Sequence, residues 1–158
     1  MKKDYHNAVT DEQMICISCG AQHSISAVPS TCTKCDGILD LVRGPKELQA
    51  QDPKAHGIWR WARQLPNCRP QNRISLGEGE TPLLSVKRLG AAFGLDDLWV
   101  KNDAMMPSGS FKDRAIALAT SLACEYGREG LVLASSGNAG ASGAAYAARA
   151  GKQLLVLV

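Results

Sequence analysis

The chain has 158 residues, of which 45% are hydrophobic and 21% charged, the balance of a soluble globular protein. Its net charge of +3 is too small to argue for nucleic acid, and it contains no apolar run of the roughly 18 residues needed to cross a membrane. No apolar signal segment follows Lys2 and Lys3, which points to a cytoplasmic chain whose six cysteines stay reduced.

The first chemical signal is at the N-terminus. Cys16-x-x-Cys19 and Cys32-x-x-Cys35 are separated by twelve residues and are followed by Gly20 and by Asp36-Gly37, so each knuckle can turn tightly and aim N–H groups at thiolates. Four thiolates at this spacing suit tetrahedral zinc in a small ribbon, with a hairpin arm through Ser24 to Pro29 spanning the gap. Two disulfides are the alternative, and a reducing cytosol argues against them. Four protein ligands leave no open position for water, so the expected role is structural. His23 could in principle replace a cysteine, whereas Cys68 and Cys124 read as ordinary thiols. Residues 1–42 are thus a tail and ribbon. Residues 43–75, with Pro45, Pro53, Pro66 and Pro70, read as a connector in which Ile58, Trp59 and Trp61 dock on one of the flanking regions.

Residues 76–158 read as an α/β region. Leu98 to Val100 predicts a strand ending at Lys101, which is expected to pair with Asp103. Pro107 and Gly109 fix a tight loop, and Ser110 stands three residues before Asp113, the capping-box spacing, so a helix is predicted from Phe111 with Lys112 in its first turn. The positive end of a helix disfavours an ammonium there, and a neutral amine is what a carbonyl cofactor needs; Lys101 is the rival lysine. Ala115, Leu118, Ala119, Leu122, Ala123 and Tyr126 mark the predicted packing face, with Gly127 as the stop.

Gly130 to Ala134, Gly137 to Ala150 and Gln153 to Val158 then predict a β-α-β unit whose helix lies on the sheet through Ala141, Ala144, Ala145 and Ala148. Ser135 to Asn138 form the loop at that helix's N-terminus, where free N–H groups favour a carboxylate or phosphate; the same glycines and serines would equally serve to cap and pack the helix.

Residues 107–114, Pro-Ser-Gly-Ser-Phe-Lys-Asp-Arg, closely resemble the P-T-G-S-F-K-D-R lysine motif of fold-type II pyridoxal-phosphate enzymes. Residues 76–83, Leu-Gly-Glu-Gly-Glu-Thr-Pro-Leu, are similar to the L-G-E-G-x-T-P-L segment of the threonine synthases among them, and Trp59-Arg60-Trp61 resembles their W-R-Y stretch. Lys101-Asn102-Asp103 resembles K-x-E, and residues 134–140, Ala-Ser-Ser-Gly-Asn-Ala-Gly, match the family's asparagine loop. The likeness runs from about residue 57 to the end, and some of these enzymes carry a cysteine-rich ribbon ahead of it.

The resemblance implies a tryptophan synthase β-like α/β fold and pyridoxal 5'-phosphate as cofactor. It makes Lys112 the residue bonded to that cofactor, with Asn138 on its 3'-oxygen and Ser110 beside it; Phe111 and Arg114 would pack around it. Ser135, Ser136, Gly137, Ala139 and Thr81 would bind the amino-acid substrate. The implied reaction converts O-phosphohomoserine and water to threonine and phosphate, with a homodimer as the assembly left open. Ser108 for threonine, Asp103 for glutamate and Ala115 for glycine depart from the pattern and leave the substrate open.

Such enzymes are more than twice this length, and their phosphate loop lies further along. The expectation is therefore an N-terminal fragment, inactive alone. A related fold-type II lyase such as a threonine dehydratase or cysteate synthase shares Lys112 and Asn138. A non-catalytic zinc-ribbon binding module lacks the expected lysine–aromatic cluster, and a nucleotide-binding domain lacks G-x-G-x-x-G.

Overall fold

The computed structural model describes residues 12–25, 29–43 and 52–158. They fall into two compact units, one containing residues 12–25, 29–43 and Arg63–Asn67, the other containing residues 52–62 and 68–158. The proline-rich stretch thus contributes to both.

In the first unit β1 (Gln13–Cys16) is the centre of a three-stranded antiparallel sheet, flanked by β2 (Gln22–His23) and β3 (Leu39–Val42). Met14 lies opposite His23, and Cys16 opposite Leu39. Successive side chains of a strand point to opposite faces. Ile15 accordingly packs with Val42 in one small cluster, while Cys16 joins Cys32, Ala21 and Leu39 in another. Among the described residues both clusters are small, and small units commonly rely on a metal or cross-link. Of the expected hairpin arm, residues 26–28 lie outside the described residues.

In the second unit β4 (Leu83–Ser85) pairs antiparallel with β5 (Trp99–Lys101), the segment between them carrying the short helix α1 (Lys87–Ala92). The strand expected at residues 98–100 therefore sits one residue later. Helix α2 (Lys112–Glu125) leads to β6 (Gly130–Ala134), α3 (Asn138–Ala150) and β7 (Gln153–Leu157). β6 and β7 pair in parallel from Gly130 opposite Gln153 to Ala134 opposite Leu157, so the β-α-β unit forms as read. No helix among the described residues is long and apolar enough to cross a membrane.

Both helix faces differ from the expectation. In α3 the buried residues are Gly140, Ser142, Gly143, Tyr146 and Ala147, whereas Ala141, Ala144 and Ala148 are exposed and Ala145 is half-buried. The helix approaches the strands through missing side chains: a Cβ at Gly143 would run into Leu133 Cδ1, and one at Gly140 would stand 3.3 Å from Val156 Cγ1. In α2 the buried residues are Asp113, Ile116, Ala117, Thr120 and Ser121, and the expected stripe is exposed at Ala115 and Ala119 and half-buried elsewhere. Polar side chains can occupy this face because most are paired. Ser121 accepts Ile74 N–H at 2.8 Å and donates to Ala117 carbonyl at 2.7 Å, while Cys68 Sγ lies 3.8 Å from Ser121 carbonyl. Arg69 and Asn72 hold Glu125 near the end of α2 at 2.8 and 2.7 Å.

The segment 57–74 packs partly as expected. Ile58 and Trp59 are buried, and Trp59 Nε1 donates to Ile74 carbonyl at 3.0 Å with Arg73 stacked 5.2 Å from its ring centre, but Trp61 is exposed.

Candidate active site and metal centre

Lys112 opens α2, one residue after the predicted helix start. The expected capping box is not made. Ser110 Oγ, buried, accepts the Lys112 N–H at 3.3 Å, and the Asp113 carboxylate reaches past Ser110 to Ser108, whose N–H it accepts at 2.7 Å. Asp113 also accepts the Ser108 hydroxyl and, at 2.6 Å, that of Ser142 on α3, and both Asp113 and Ser142 are fully buried. One carboxylate therefore closes the loop before Lys112 and ties α2 to α3, the helix that begins at Asn138. The loop itself turns through Gly109 N–H to Met106 carbonyl at 2.8 Å.

Consumed by these donors, Asp113 is no counter-ion for its neighbour. Among the described residues Lys112 makes no ion pair; its half-buried amine lies 4.6 Å from the centre of the exposed Phe111 ring. An amine with no counter-ion is not tied down by a salt bridge, which leaves it accessible to a carbonyl group. Lys101 is engaged instead: its Nζ donates to Thr81 carbonyl rather than pairing with Asp103 as expected. Asp103 accepts Arg114 at 3.0 and 3.3 Å and the buried Thr81 hydroxyl at 2.8 Å. Its carboxyl is held below the ordinary range first by the Arg114 hydrogen bonds and then by Thr81. Thr81 and Arg114 are thereby locked to one strand end, and Arg114 is a brace of α2.

At the second loop Ser135 Oγ accepts the N–H groups of Gly137 (3.2 Å) and Gly140 (3.1 Å), so the serine does cap the helix. The remaining first-turn N–H groups, of Asn138 and Ala139, have no intrahelical acceptor by helix geometry. Ser136, Gly137 and Asn138 are exposed and Ala139 half-buried. Capping and an outward-facing donor set thus coexist. No hydrogen bond joins Lys112 to Asn138 among the described residues; the connection between their helices runs through Asp113 and Ser142.

A second buried carboxylate escaped the sequence reading. Glu78, fully buried within the Leu76–Leu83 segment, accepts Ser75 Oγ and Leu76 N–H at 3.0 Å each and Tyr146 OH at 2.9 Å, fastening that segment to α3. Burial, then the Glu78 charge, pushes the Tyr146 hydroxyl well above its ordinary range, so it stays a donor. The available signal was Glu78 itself, flanked by Gly77 and Gly79; Ser142 among alanines carried none.

In the first unit the sulfurs of Cys16, Cys19, Cys32 and Cys35 lie within 4.8 Å of one another, with Cys16–Cys35 at 3.5 Å and Cys19–Cys32 at 3.7 Å. A tetrahedron of 2.3 Å metal–sulfur bonds has edges of about 3.8 Å, so the donor set fits a tetrahedral ion. Its electrostatics agree. Backbone N–H groups, first of Cys19, lower the Cys16 thiol to about 6 against the opposing burial. Gly37 N–H favours the Cys35 thiolate, but the thiols of Cys19 and Cys16 outweigh it and raise Cys35 to about 12. Four clustered thiols cannot all ionise without a cation among them. These four cysteines could hold a metal.

A family model described as pyridoxal-phosphate dependent enzyme matches residues 74–158. Among curated proteins the chain is similar to the threonine synthase of Methanosarcina acetivorans, 37% identical over 147 residues, which cover 90% of this chain and 36% of that protein. It is similarly related to the threonine synthase of Methanocaldococcus jannaschii, 37% over 149 residues with the same coverage, and to that of Mycobacterium leprae, 42% over 116 residues, 70% of this chain and 32% of the relative. The chain spans about a third of the length of the relatives it matches.

Proposed function

Because the chain belongs to the pyridoxal-phosphate dependent enzyme family, we propose that it is the lysine-bearing part of a threonine synthase that converts O-phosphohomoserine and water to threonine and phosphate. The observation that carries this reading is similarity to threonine synthases over nine-tenths of the chain, cysteine segment included. The unpaired Lys112 amine supports the cofactor assignment.

Lys112, Asn138 and Ser110 would hold pyridoxal 5'-phosphate: Lys112 covalently, Asn138 by a hydrogen bond to the ring 3'-oxygen, and Ser110 by fixing the turn that presents the lysine. Bound there, the cofactor supplies an electron sink for charge developed beside the substrate's amino group. Lys112, once free, moves protons at the α and β carbons. The first-turn N–H groups of Asn138 and Ala139, with Ser135, Ser136 and Gly137, cradle the substrate carboxylate, which must stay fixed while phosphate leaves the γ carbon and water adds at the β carbon. Thr81 orients the substrate from the strand end to which Asp103 and Lys101 anchor it. The cysteine unit of residues 1–42 binds one structural zinc through Cys16, Cys19, Cys32 and Cys35, in a cytosol that keeps the thiols reduced, and residues 43–75 link it to the catalytic region of residues 76–158.

Borohydride reduction of the full-length protein that contains this chain, followed by peptide mapping, should place the pyridoxyl group on Lys112; label on Lys101 would refute the assignment. Lys112→Ala should abolish turnover while the protein stays folded, because a first-turn substitution costs little helix propensity. Product analysis with O-phosphohomoserine separates threonine formation from the chemistry of a related dehydratase or cysteate synthase.

A further inference from the structure

His23 stands against the tetrathiol cluster without belonging to it. Its backbone is fixed by β2, paired to Met14 of the strand that delivers Cys16. Its Nε2 lies 3.4 Å from Cys32 Sγ, outside the set of four sulfurs that close within 4.8 Å.

Two of the four sulfurs are buried. Cys16 and Cys32 are both fully buried, while Cys19 and Cys35 are exposed and can be solvated by water. Cys16 faces the backbone N–H groups of Cys19 and Ser18. Among the described residues Cys32 Sγ accepts the Lys34 N–H at 3.4 Å and has the His23 ring at 3.4 Å beside it. Four thiolates around a divalent ion carry a net charge of −2, and a buried thiolate without water needs N–H donors to carry its share.

We propose that His23 is an outer-shell donor to the Cys32 thiolate that retains the metal, and not a ligand. The proposal rests on the zinc reading above. Its ring nitrogen donates to sulfur and compensates negative charge at the buried side of the cluster, so losing the donor leaves that charge less compensated and the metal less firmly retained. His23 is half-buried and lines a surface hollow with Glu12, Gln13, Gln22, Ser24 and Ile25, so truncating it admits water instead of opening a sealed void.

The test follows zinc transfer from the loaded full-length protein to excess 4-(2-pyridylazo)resorcinol, without substrate, for wild type, His23→Ala and His23→Gln. All three should bind one zinc per chain. His23→Ala should lose about 10- to 100-fold in zinc affinity and release it correspondingly faster, the usual effect of removing an outer-shell partner. His23→Gln, which keeps an N–H of similar reach, should recover most of the loss. Equal release from wild type and His23→Ala overturns the proposal, and so does His23→Gln behaving like His23→Ala, which would make the ring mere packing. Cobalt-substituted wild type and His23→Ala should share a sulfur-only spectrum; a nitrogen contribution that disappears with His23 would make it a ligand and overturn the outer-shell role. A wild type that takes up no zinc removes the metal reading and this proposal together, an outcome visible before any variant is made.

Discussion

Ser142→Ala isolates the tie between the two helices that carry the proposed cofactor residues. The hydroxyl it removes sits 2.6 Å from Asp113, and neither residue is exposed to water. A hydrogen bond to a charged group contributes about 1.5 to 3 kcal/mol. Alanine's better helix propensity returns roughly 0.5 kcal/mol, so the expected loss is about 1 to 2.5 kcal/mol. Asp113→Ala should cost more, about 2 to 4 kcal/mol, because it strands the buried Ser142 hydroxyl and releases the half-buried Ser108 loop as well as opening space. Since both changes act on one bond, the double variant should fall short of the summed losses by about 1 kcal/mol or more. Urea unfolding of the apo full-length protein reads all four corners of the cycle. A Ser142→Ala protein within about 0.5 kcal/mol of wild type, the range of an ordinary surface change, would mean that the Asp113 tether is not what joins α2 to α3.

Gly57 has φ +62°, and a Cβ there would stand 2.8 Å from Glu78 carbonyl oxygen and Ser75 Oγ and 2.9 Å from Glu78 Oε1. Gly57→Ala should therefore destabilise by about 3 kcal/mol or more through combined strain and overpacking; thermal unfolding within a few degrees of wild type would contradict this. The Cys68 thiol is raised to about 11 by burial first, with the Glu125 charge adding. At pH 8 it is roughly one-thousandth thiolate, and iodoacetamide should modify the half-buried Cys124 well before it; equal rates at the two sites would contradict the burial. Asp103 has a depressed pKa when folded, so its pairing stabilises above the ordinary carboxylate range and that contribution is lost as pH falls through the folded value. Arg114→Ala should thus cost about 1 kcal/mol or less at neutral pH for so accessible a pair. The difference should shrink toward zero below about pH 4, and an undiminished difference at pH 3 would remove the ion pair as its cause.

What the sequence exposed was whatever depends on spacing along the chain. Glycine and apolar runs bounded β6, α3 and β7 to within a residue, because a five-residue strand, a helix with its left-handed Gly151 stop and a second strand use only local rules. The cysteine knuckles brought four sulfurs together for the same reason. Spacing failed where a face had to be chosen. An alanine stripe reads as a packing surface, yet α3 meets the strands at Gly140 and Gly143, where what matters is the volume left for Leu133 and Val156. Periodicity registers side chains that are present and has no term for a gap.

The same limit explains the Lys112 loop. Ser110 and Asp113 have capping-box spacing, and an isolated helix would use it. In the folded chain Asp113 faces α3, and a carboxylate buried there takes the strongest set of donors within reach, two from Ser108 and one from Ser142, in preference to the N–H that local geometry assigns it. That choice also bears on the residue next to it. Had Asp113 capped its own helix at the surface, it would have stood free to pair with cations nearby, Lys112 among them. Drawn toward Ser108 and α3 instead, it leaves Lys112 at the helix start without an ion pair among the described residues, its amine 4.6 Å from the centre of the Phe111 ring. The orientation of Asp113 is thus partly a tertiary property, shared between Ser108 in the loop before it and Ser142 on α3.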